Sequence, residues 1–549
     1  MALVYPNHYH VGMSNLGFQT VYRLVNDIDH VVCERAFLPD QDGGKIRRVL
    51  TVESQTPIED FDIIAFSISY ENDVPGVLTI LETAGLPLPA AQRGANLPLV
   101  LAGGVFCFLN PEPLAPFIDA FLLGEAEALI SDFFEAYHPS ADRQKTLHDL
   151  ACQVPGLYVP AFYRPRYHDD GTLETFEPLK EVPAAVRRLI VPDLSELPTA
   201  STILTPDTTF DDTYLIEVSR GCPHGCRFCS AGYVYRPPRF RPLGLLDQQV
   251  DEGCALTDRI GLVGAAVSDL PGIRSLCEKD RGRDIRFSFS SLRADALDGP
   301  LVEALKKSHV KTATIAPDAG SERMRRVVNK GITEDHVVAA AETLVAAGIP
   351  NLKVYFMIGL PTETEADVAA IVDLVKRVKH RFLKSSRGRG RIGEITVSLS
   401  SFVPKPFTPF QWVAMDEVKT LKRKIKMVKT GLKRTPNVRV HADVARWAYL
   451  QGLIARGDRR VADILMLAHK NQGNWPQTFK ASPVNPHFYV HRERDADELF
   501  PWDFIDQGID KSFLLKEYRR SLVARTSAPC PADPTTCSRC GVCQGKPGP

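Results

Sequence analysis

At 549 residues, 44% hydrophobic and 24% charged, the chain is too long for one hydrophobic core and reads as a soluble globular protein of about three or four units. Lys plus Arg equals Asp plus Glu at 66 each, so overall charge selects neither a nucleic acid nor an anionic surface as partner. The start Met1-Ala2-Leu3-Val4-Tyr5-Pro6 has no basic region ahead of an apolar core, and no uncharged apolar run reaches ~18 residues, which predicts a cytoplasmic protein with no membrane partner.

Twelve cysteines in such a chain suit metal ligands and buried thiols better than disulfides. Cys33, Cys107, Cys152, Cys254 and Cys277 stand alone and read as small buried side chains.

Residues 1–150 alternate short apolar runs with amphipathic stretches. Strands are predicted over 2–5, 62–69, 98–104 and 119–124, and helices over 17–25, 74–83 and 126–137. That alternation implies a doubly wound parallel sheet, whose ligands sit at the carboxyl ends of the strands. Gly103, Gly104, Gly124 and Glu125 would lie there.

Residues 151–212 read as a connector: a closing strand over 155–160, a hairpin turn at Asp169-Asp170-Gly171, and a Pro-spaced strap over 191–207, too apolar for a free linker. From 213 to 412 the β/α alternation resumes with six strands and fits a partial parallel barrel, active at the carboxyl-end loops.

The first of those strands runs into Gly221-Cys222-Pro223-His224-Gly225-Cys226-Arg227-Phe228-Cys229. Three cysteines on one short loop let three thiolates converge on one inorganic group. In a cubic four-iron four-sulfur (4Fe-4S) cluster three protein sulfurs leave one iron open for chemistry. The competing reading is a zinc loop with His224 as fourth ligand.

The later strands end in Ser268-Asp269, Ser291-Leu292-Arg293, Asp318-Ala319-Gly320-Ser321-Glu322 and Gly359-Leu360-Pro361. Ser321 and Glu322 also suit the opening of a helix, and Arg293 also suits an exposed ion pair. The last strand leads to the Pro-stiffened aromatic loop 402–412, in which Lys405 is the candidate for substrate contact while Phe410 and Trp412 suit packing.

Two basic stretches, 376–391 and 419–434, can hold RNA phosphates, although a solvated helical face accounts for them more simply because aromatic residues do not interleave. Residues 413–525 read as a helical cap packed on the barrel, with helices over 444–455 and 461–468. The tail 526–549 carries Cys530, Cys537, Cys540 and Cys543. Four thiols at these spacings suit an auxiliary iron–sulfur cluster; a four-cysteine zinc knuckle and an unliganded tail are the alternatives.

The Cys-x3-Cys-x2-Cys loop, with Phe228 before its last cysteine, resembles the signature of the radical S-adenosylmethionine (SAM) enzymes. Gly103-Gly104, 110–114, Asp119 and 124–127 resemble the second half of the cobalamin-binding domain that precedes the core in one large subclass. Tyr5-Pro6-Asn7, 11–17 and Cys33-Glu34-Arg35 narrow the resemblance to a bacterial family of B12-binding-type radical SAM proteins, over most of the chain.

The resemblance implies an α/β fold with a Rossmann-like, cobalamin-binding-type domain, a partial TIM-type (β/α)6 barrel and a helical C-terminal region. It implies a 4Fe-4S cluster on Cys222, Cys226 and Cys229 whose open iron chelates SAM, reductive cleavage of SAM to a 5′-deoxyadenosyl radical, and a reducing partner such as flavodoxin or ferredoxin. Phe228 and Ser291 are expected beside the cofactor. Ser268 and Asp269 are expected on the SAM amino group, Arg293 on its carboxylate, Asp318, Ser321 and Glu322 on the ribose, and Gly359 and Pro361 on the adenine.

One departure stands out. No Asp-x-His-x-x-Gly occurs in the N-terminal domain, so cobalamin would bind with its lower face unligated, or the domain keeps the fold without the ligand. If cobalamin binds, the expected reaction is methyl transfer to an unactivated carbon. The alternatives are cobalamin-independent modification of RNA or protein, such as methylthiolation, and a non-enzymatic zinc or iron–sulfur nucleic-acid binder.

Overall fold

The computed structural model describes residues 1–40, 48–279, 284–290, 292–386, 392–533 and 537–543. The chain divides into two compact units. The first comprises Met1–Pro192, Ser201–Asp212 and Leu450–Gly508, and the second comprises Asp193–Ala200, Thr213–Tyr449 and Ile509–Pro549. Among the described residues no helix is long and apolar enough to cross a membrane.

The first unit is built on strands β1 Ala2–Tyr5, β2 Glu34–Phe37, β3 Ile63–Ser67, β4 Leu99–Gly103, β5 Ala120–Leu122 and β6 Leu157–Tyr158. They lie in the order β2-β1-β3-β4-β5-β6, parallel except for the antiparallel β5–β6 pair. All four residues of β1 are buried, as a strand covered on both faces requires. The helix Leu16–Asn26 opens on Asn15, whose side chain accepts from the Phe18 N–H, and Val74–Thr83 opens with Pro75 in its first turn. Strand β2 is unexpected, because Arg35 breaks its apolar pattern. The guanidinium is buried and reaches Glu53 at 2.7 Å.

The connector forms the antiparallel hairpin β7 Tyr163–Tyr167 and β8 Leu173–Pro178 around the predicted turn. Its strap is ordered: Gln19 Oε1 accepts from the N–H groups of Thr202 and Ile203 at 2.9 and 3.0 Å.

Residues 450–508 belong to this first unit. The physical reason is a set of buried polar groups that need partners. Asn110 Nδ2 donates to the carbonyls of Ala455 and Gly457 at 3.1 and 2.7 Å, and Arg459 reaches the buried Glu112 carboxylate at 3.1 Å. Tyr158 donates to the same carboxylate at 2.5 Å. A buried carboxylate without its cation would cost several kcal/mol, about 3–5.

The second unit holds strands β9 Tyr214–Glu217, β10 Arg259–Val263, β11 Arg286–Phe289, β12 Thr312–Asp318, β13 Asn351–Ile358, β14 Ile395–Ser401 and β15 Val438–Ala442. They make a three-stranded sheet β9-β10-β11 and a four-stranded sheet β12-β13-β14-β15, all parallel, joined by a single bridge between Leu292 and Ile315. This is an open, partial barrel in which, among the described residues, a seventh parallel strand follows the six expected. The seventh lies where a helical region was expected; Arg439 and His441 are exposed on this edge strand, so its pattern lacks a buried run.

Alternate residues of β13 are buried, and the helix Glu365–Ser385 behind it is closed at its start by a reciprocal Thr364–Asp367 capping box. A core of Ala319, Met324, Val327, Val328, Leu360, Phe402, Phe410 and Val413 gathers the ends of β12, β13 and β14.

Candidate metal centre

The three-cysteine loop leaves β9 as a bounded excursion. Val218 N–H bonds to the Val263 carbonyl at 2.8 Å, and Ser219–Arg220 then pairs antiparallel with Arg239–Phe240, so the chain returns to where it left. Gly221 opens the excursion at φ +83°, and a Cβ there would run into the Tyr235 carbonyl, so only glycine fits.

Inside the excursion every turn is braced. The Gly225 carbonyl accepts from Tyr233 Oη at 3.1 Å and from Asn329 Nδ2 at 3.0 Å, and Arg227 N–H donates to the Val328 carbonyl at 3.0 Å. Arg227, whose side chain is wholly buried, also donates to the carbonyls of Val327 and Arg525 and to Glu517 at 2.9, 2.7 and 3.0 Å.

Cys226 is buried and Cys222 and Cys229 are half-buried, each within electrostatic reach of another of the three. Burial pushes Cys222 up to about 12 and Cys226 up to about 11, and it raises Cys229 as well. Several groups pull the other way. Cys222 accepts from the His224 N–H, Cys229 accepts from the N–H groups of Ala231 and Gly232, and the Lys330 ammonium faces Cys226 and Cys229. Free thiols therefore keep their protons here, and a metal group that takes them as thiolates releases those protons.

Three cysteines within electrostatic reach of one another, peptide N–H donors to two of them and a nearby buried cation are the kind of groups that suit thiolate ligation of an iron–sulfur cluster. His224 Nε2 lies 2.6 Å from Asp269 Oδ2. Among the described residues no group of three or more His, Cys, Asp and Glu side chains is arranged to hold a metal ion.

The strand ends meet their expectations unevenly. Ser268 Oγ is buried without a hydrogen-bond partner among the described residues, whereas Asp269 is engaged by His224. Ser291 lies outside the described residues, as do 387–391 of the first basic stretch. Arg293 is neither an exposed arginine nor a free fork. It donates from Nε and Nη2 to Asp295 at 3.0 and 2.8 Å and stands within the field of Cys226.

Asp318, in the left-handed region at φ +63°, lies 2.6 Å from Lys330 Nζ. Gly320 is small for the sake of the fold: a Cβ there would strike the Ile371 backbone. Ser321 caps the helix Glu322–Val327 by accepting from Met324 N–H, and it donates to Asp367 at 2.6 Å. Glu322 is 52% exposed and accepts from the Glu334 N–H, so both residues take the helix-opening role.

Gly359 turns at φ +80° and its N–H donates to Glu363 at 2.8 Å. Lys424 then ties Glu363 to Asp416 at 2.8 and 2.7 Å, which holds the Gly359-Leu360-Pro361 turn from behind. Phe228 packs on the core at the ends of β12 to β14 and so anchors the cysteine loop to that turn.

Phe410 and Trp412 are buried, the latter stacked on Tyr518 at 6.0 Å, while Lys405 is half-buried and its carbonyl accepts from Thr408 Oγ1 at 2.8 Å. Much of the described basic face is paired: Arg377 with Glu334, Arg423 with Glu365, and the buried Lys424 with Glu363 and Asp416. The tail cysteines Cys530, Cys537, Cys540 and Cys543 all line one cavity of about 420 Å³ within the same unit.

In the first unit, the strand-end glycines serve the chain itself. Cβ atoms at Gly104 and Gly124 would run into the carbonyls of Ile68 and Leu189, the Gly103 carbonyl accepts from Ile68 N–H at 2.8 Å, and Glu125 accepts from Val191 N–H at 3.0 Å.

Lys330, Asn329 and Arg227 went unpredicted. Asn329-Lys330-Gly331 reads as an ordinary turn, with Asn329 and Gly331 at positive φ, and nothing in its spacing connects it to cysteines about a hundred residues earlier.

The sequence profile described as "Radical SAM proteins, N-terminal" matches residues 17–160, and that described as "Radical SAM superfamily" matches residues 216–375. The "Uncharacterized protein MJ0966" of Methanocaldococcus jannaschii is 29% identical over 517 residues, 94% of this chain and 98% of that one. The "Uncharacterized methyltransferase PH0819" of Pyrococcus horikoshii is 24% identical over 338 residues, 58% of this chain and 67% of that one. Among solved structures, the radical SAM methyltransferase TsrM of Kitasatospora setae, with cobalamin and a [4Fe-4S] cluster bound, covers 72% of this chain and 74% of its own at 14% identity and a TM-score of 0.45. The second profile begins in β9 and ends within the helix that follows the Gly-Leu-Pro turn, so it spans the cysteine loop and most of the strand ends that face it, and the chain belongs to the radical SAM superfamily of enzymes.

Proposed function

We propose that this chain cleaves SAM reductively at a 4Fe-4S cluster held by Cys222, Cys226 and Cys229, and so starts radical chemistry on a further substrate. The observation that carries the reading is the braced three-cysteine loop facing the buried Lys330–Asp318 pair. When bound, the cluster supplies one electron to the SAM sulfonium. Lys330 offsets the negative charge of the thiolates, Arg227 and Asn329 fix the loop, and Ser268 offers a buried hydroxyl without an internal partner. A flavodoxin or ferredoxin is the proposed electron donor.

The test is anaerobic incubation of the reconstituted protein with SAM and dithionite, with 5′-deoxyadenosine read by mass spectrometry. The expected result is product from the parent and none from Cys222→Ala/Cys226→Ala/Cys229→Ala. Equal product from both would overturn the reading.

The finer reading is methyl transfer to an unactivated carbon with cobalamin as carrier. The open parallel sheet of the first unit and the methyltransferase name of the Pyrococcus relative support it. Gly104, Gly124 and Glu125 also serve the fold, through the close Ile68 and Leu189 carbonyls and the Val191 N–H. Bound-corrinoid absorbance after expression with B12 decides it. Cobalamin-independent modification of RNA or protein, such as methylthiolation, is the second reading, favoured by the four-cysteine cavity.

A further inference from the structure

We propose that Cys530, Cys537, Cys540 and Cys543 hold a second 4Fe-4S cluster, closed on all four irons, packed against the backbone of the loop that carries the first three cysteines. This goes beyond SAM cleavage, which needs only the first group.

Four observations carry it. The four thiols line one cavity, together with Tyr233 and Arg236. Their electrostatic interactions run between Cys530, Cys537, Cys540 and Cys543, so sulfurs from both ends of the segment face one space. Arg236 lines the same cavity, and its guanidinium stands within electrostatic reach of Cys530 and Cys540, which supplies the cation that a thiolate-ligated cluster calls for. The tail is built into place: Asp510 N–H donates to the Cys540 carbonyl at 2.9 Å, and Gly541 turns at φ +88° where a Cβ would meet the Asp510 carboxylate at 2.8 Å.

The choice of cluster over a single zinc ion follows from the spacing of the thiols. A zinc ion at about 2.3 Å from each sulfur draws four thiolates into contact around it. Here Cys537-x2-Cys540-x2-Cys543 repeats the two-residue spacing of ferredoxin-type runs, with Cys530 on the same cavity as the fourth thiol. With four protein ligands no iron is left for a substrate, so the site stores or passes single electrons.

Its position suits that role. Cys530 N–H donates to the Pro223 carbonyl at 2.7 Å. Asn329 accepts from Ser527 N–H at 2.8 Å while donating to Gly225. Arg236, within electrostatic reach of Cys540, donates to the Gly232 carbonyl at 2.6 Å, three residues beyond Cys229. Two cysteine groups thus share one polar scaffold.

The experiment is anaerobic reconstitution of the full chain with ferrous iron and sulfide, followed by iron, sulfide and zinc counting and electron paramagnetic resonance of the dithionite-reduced protein. The parent is expected to hold about eight irons, and Cys537→Ser/Cys540→Ser about four. Cys222→Ala/Cys226→Ala/Cys229→Ala is expected to keep about four, with a resonance that added SAM leaves unchanged. About four irons in the parent with none in the tripod variant, about one zinc lost with Cys537 and Cys540, or a SAM-induced shift in the tripod variant would each overturn the proposal. Because the tripod variant keeps the tail intact, misfolding of the tail variant does not decide the outcome, and metal counting does not depend on turnover.

Discussion

Lys330 Nζ lies 2.6 Å from Asp318 Oδ2, the two side chains being only 12% and 11% exposed, with Cys226 and Cys229 in the field of both. Burial by itself would lower the Lys330 ammonium, but Asp318 and Cys226 outweigh it and hold the group well above its ordinary value, so it stays charged. Replacing it by Lys330→Met leaves Asp318 uncompensated and is expected to cost about 3–5 kcal/mol in urea unfolding, with lower iron retention. Lys330→Met/Asp318→Asn should recover most of the stability without the iron, because the cation that favours the thiolates is still missing. Full iron retention by the double variant would refute this role.

His224 Nε2 lies 2.6 Å from Asp269 Oδ2, a contact that braces the cysteine loop. His224→Ala should therefore keep the iron content of the parent, whereas Cys226→Ala should lose about four irons. Iron and sulfide assays on the reconstituted variants distinguish a loop-bracing histidine from a ligand.

Glu517 fastens the segment before the tail cysteines to Arg227 at 3.0 Å. Burial tends to raise its carboxyl, but hydrogen bonds from Ser527, then the Arg227 guanidinium, hold it below the ordinary 4.5. A depressed folded value means that this stability is present above about 4.5 and is lost as pH falls through the lower folded value. Urea midpoints should fall over that acidic window for the parent. Glu517→Gln should be less stable at neutral pH by about 3–5 kcal/mol, with a flatter profile there.

Gly359 turns at φ +80°, and a Cβ on it would lie 2.8 Å from Leu421 Cδ2. Gly359→Ala should strain the turn by about 1–3 kcal/mol and weaken SAM binding about tenfold in equilibrium dialysis, with iron content unchanged. Gly359→Ala/Leu421→Ala should remain weak, because removing the leucine relieves contact but not the backbone conformation.

Much of the architecture was legible because it follows local rules. Apolar runs bounded by turn residues located β1, β3, β4 and β9 to β14, and Asp169-Asp170-Gly171 located the hairpin. Two of the strands that escaped, β2 and β15, carry charged residues within their spans, and pattern alone does not separate such edge strands from loops. The grouping of 450–508 with the first unit was not legible for a different reason: helical periodicity says that a face is buried but not against what, and Asn110 and Glu112 lie about 350 residues earlier.

What the linear order of residues determined by itself is the chemistry on offer: three thiols on a Gly/Pro loop, four more at the far end, and a β/α repeat that delivers loops to one side. Short-range spacing is enough for that, because ligands a few residues apart must share a neighbourhood. Tertiary packing alone decided which charges stand beside those sulfurs. Lys330, Arg236 and Arg227 are surface-type residues by composition, and only the energetic need to pair a buried charge brought them to Asp318, Cys540 and Glu517.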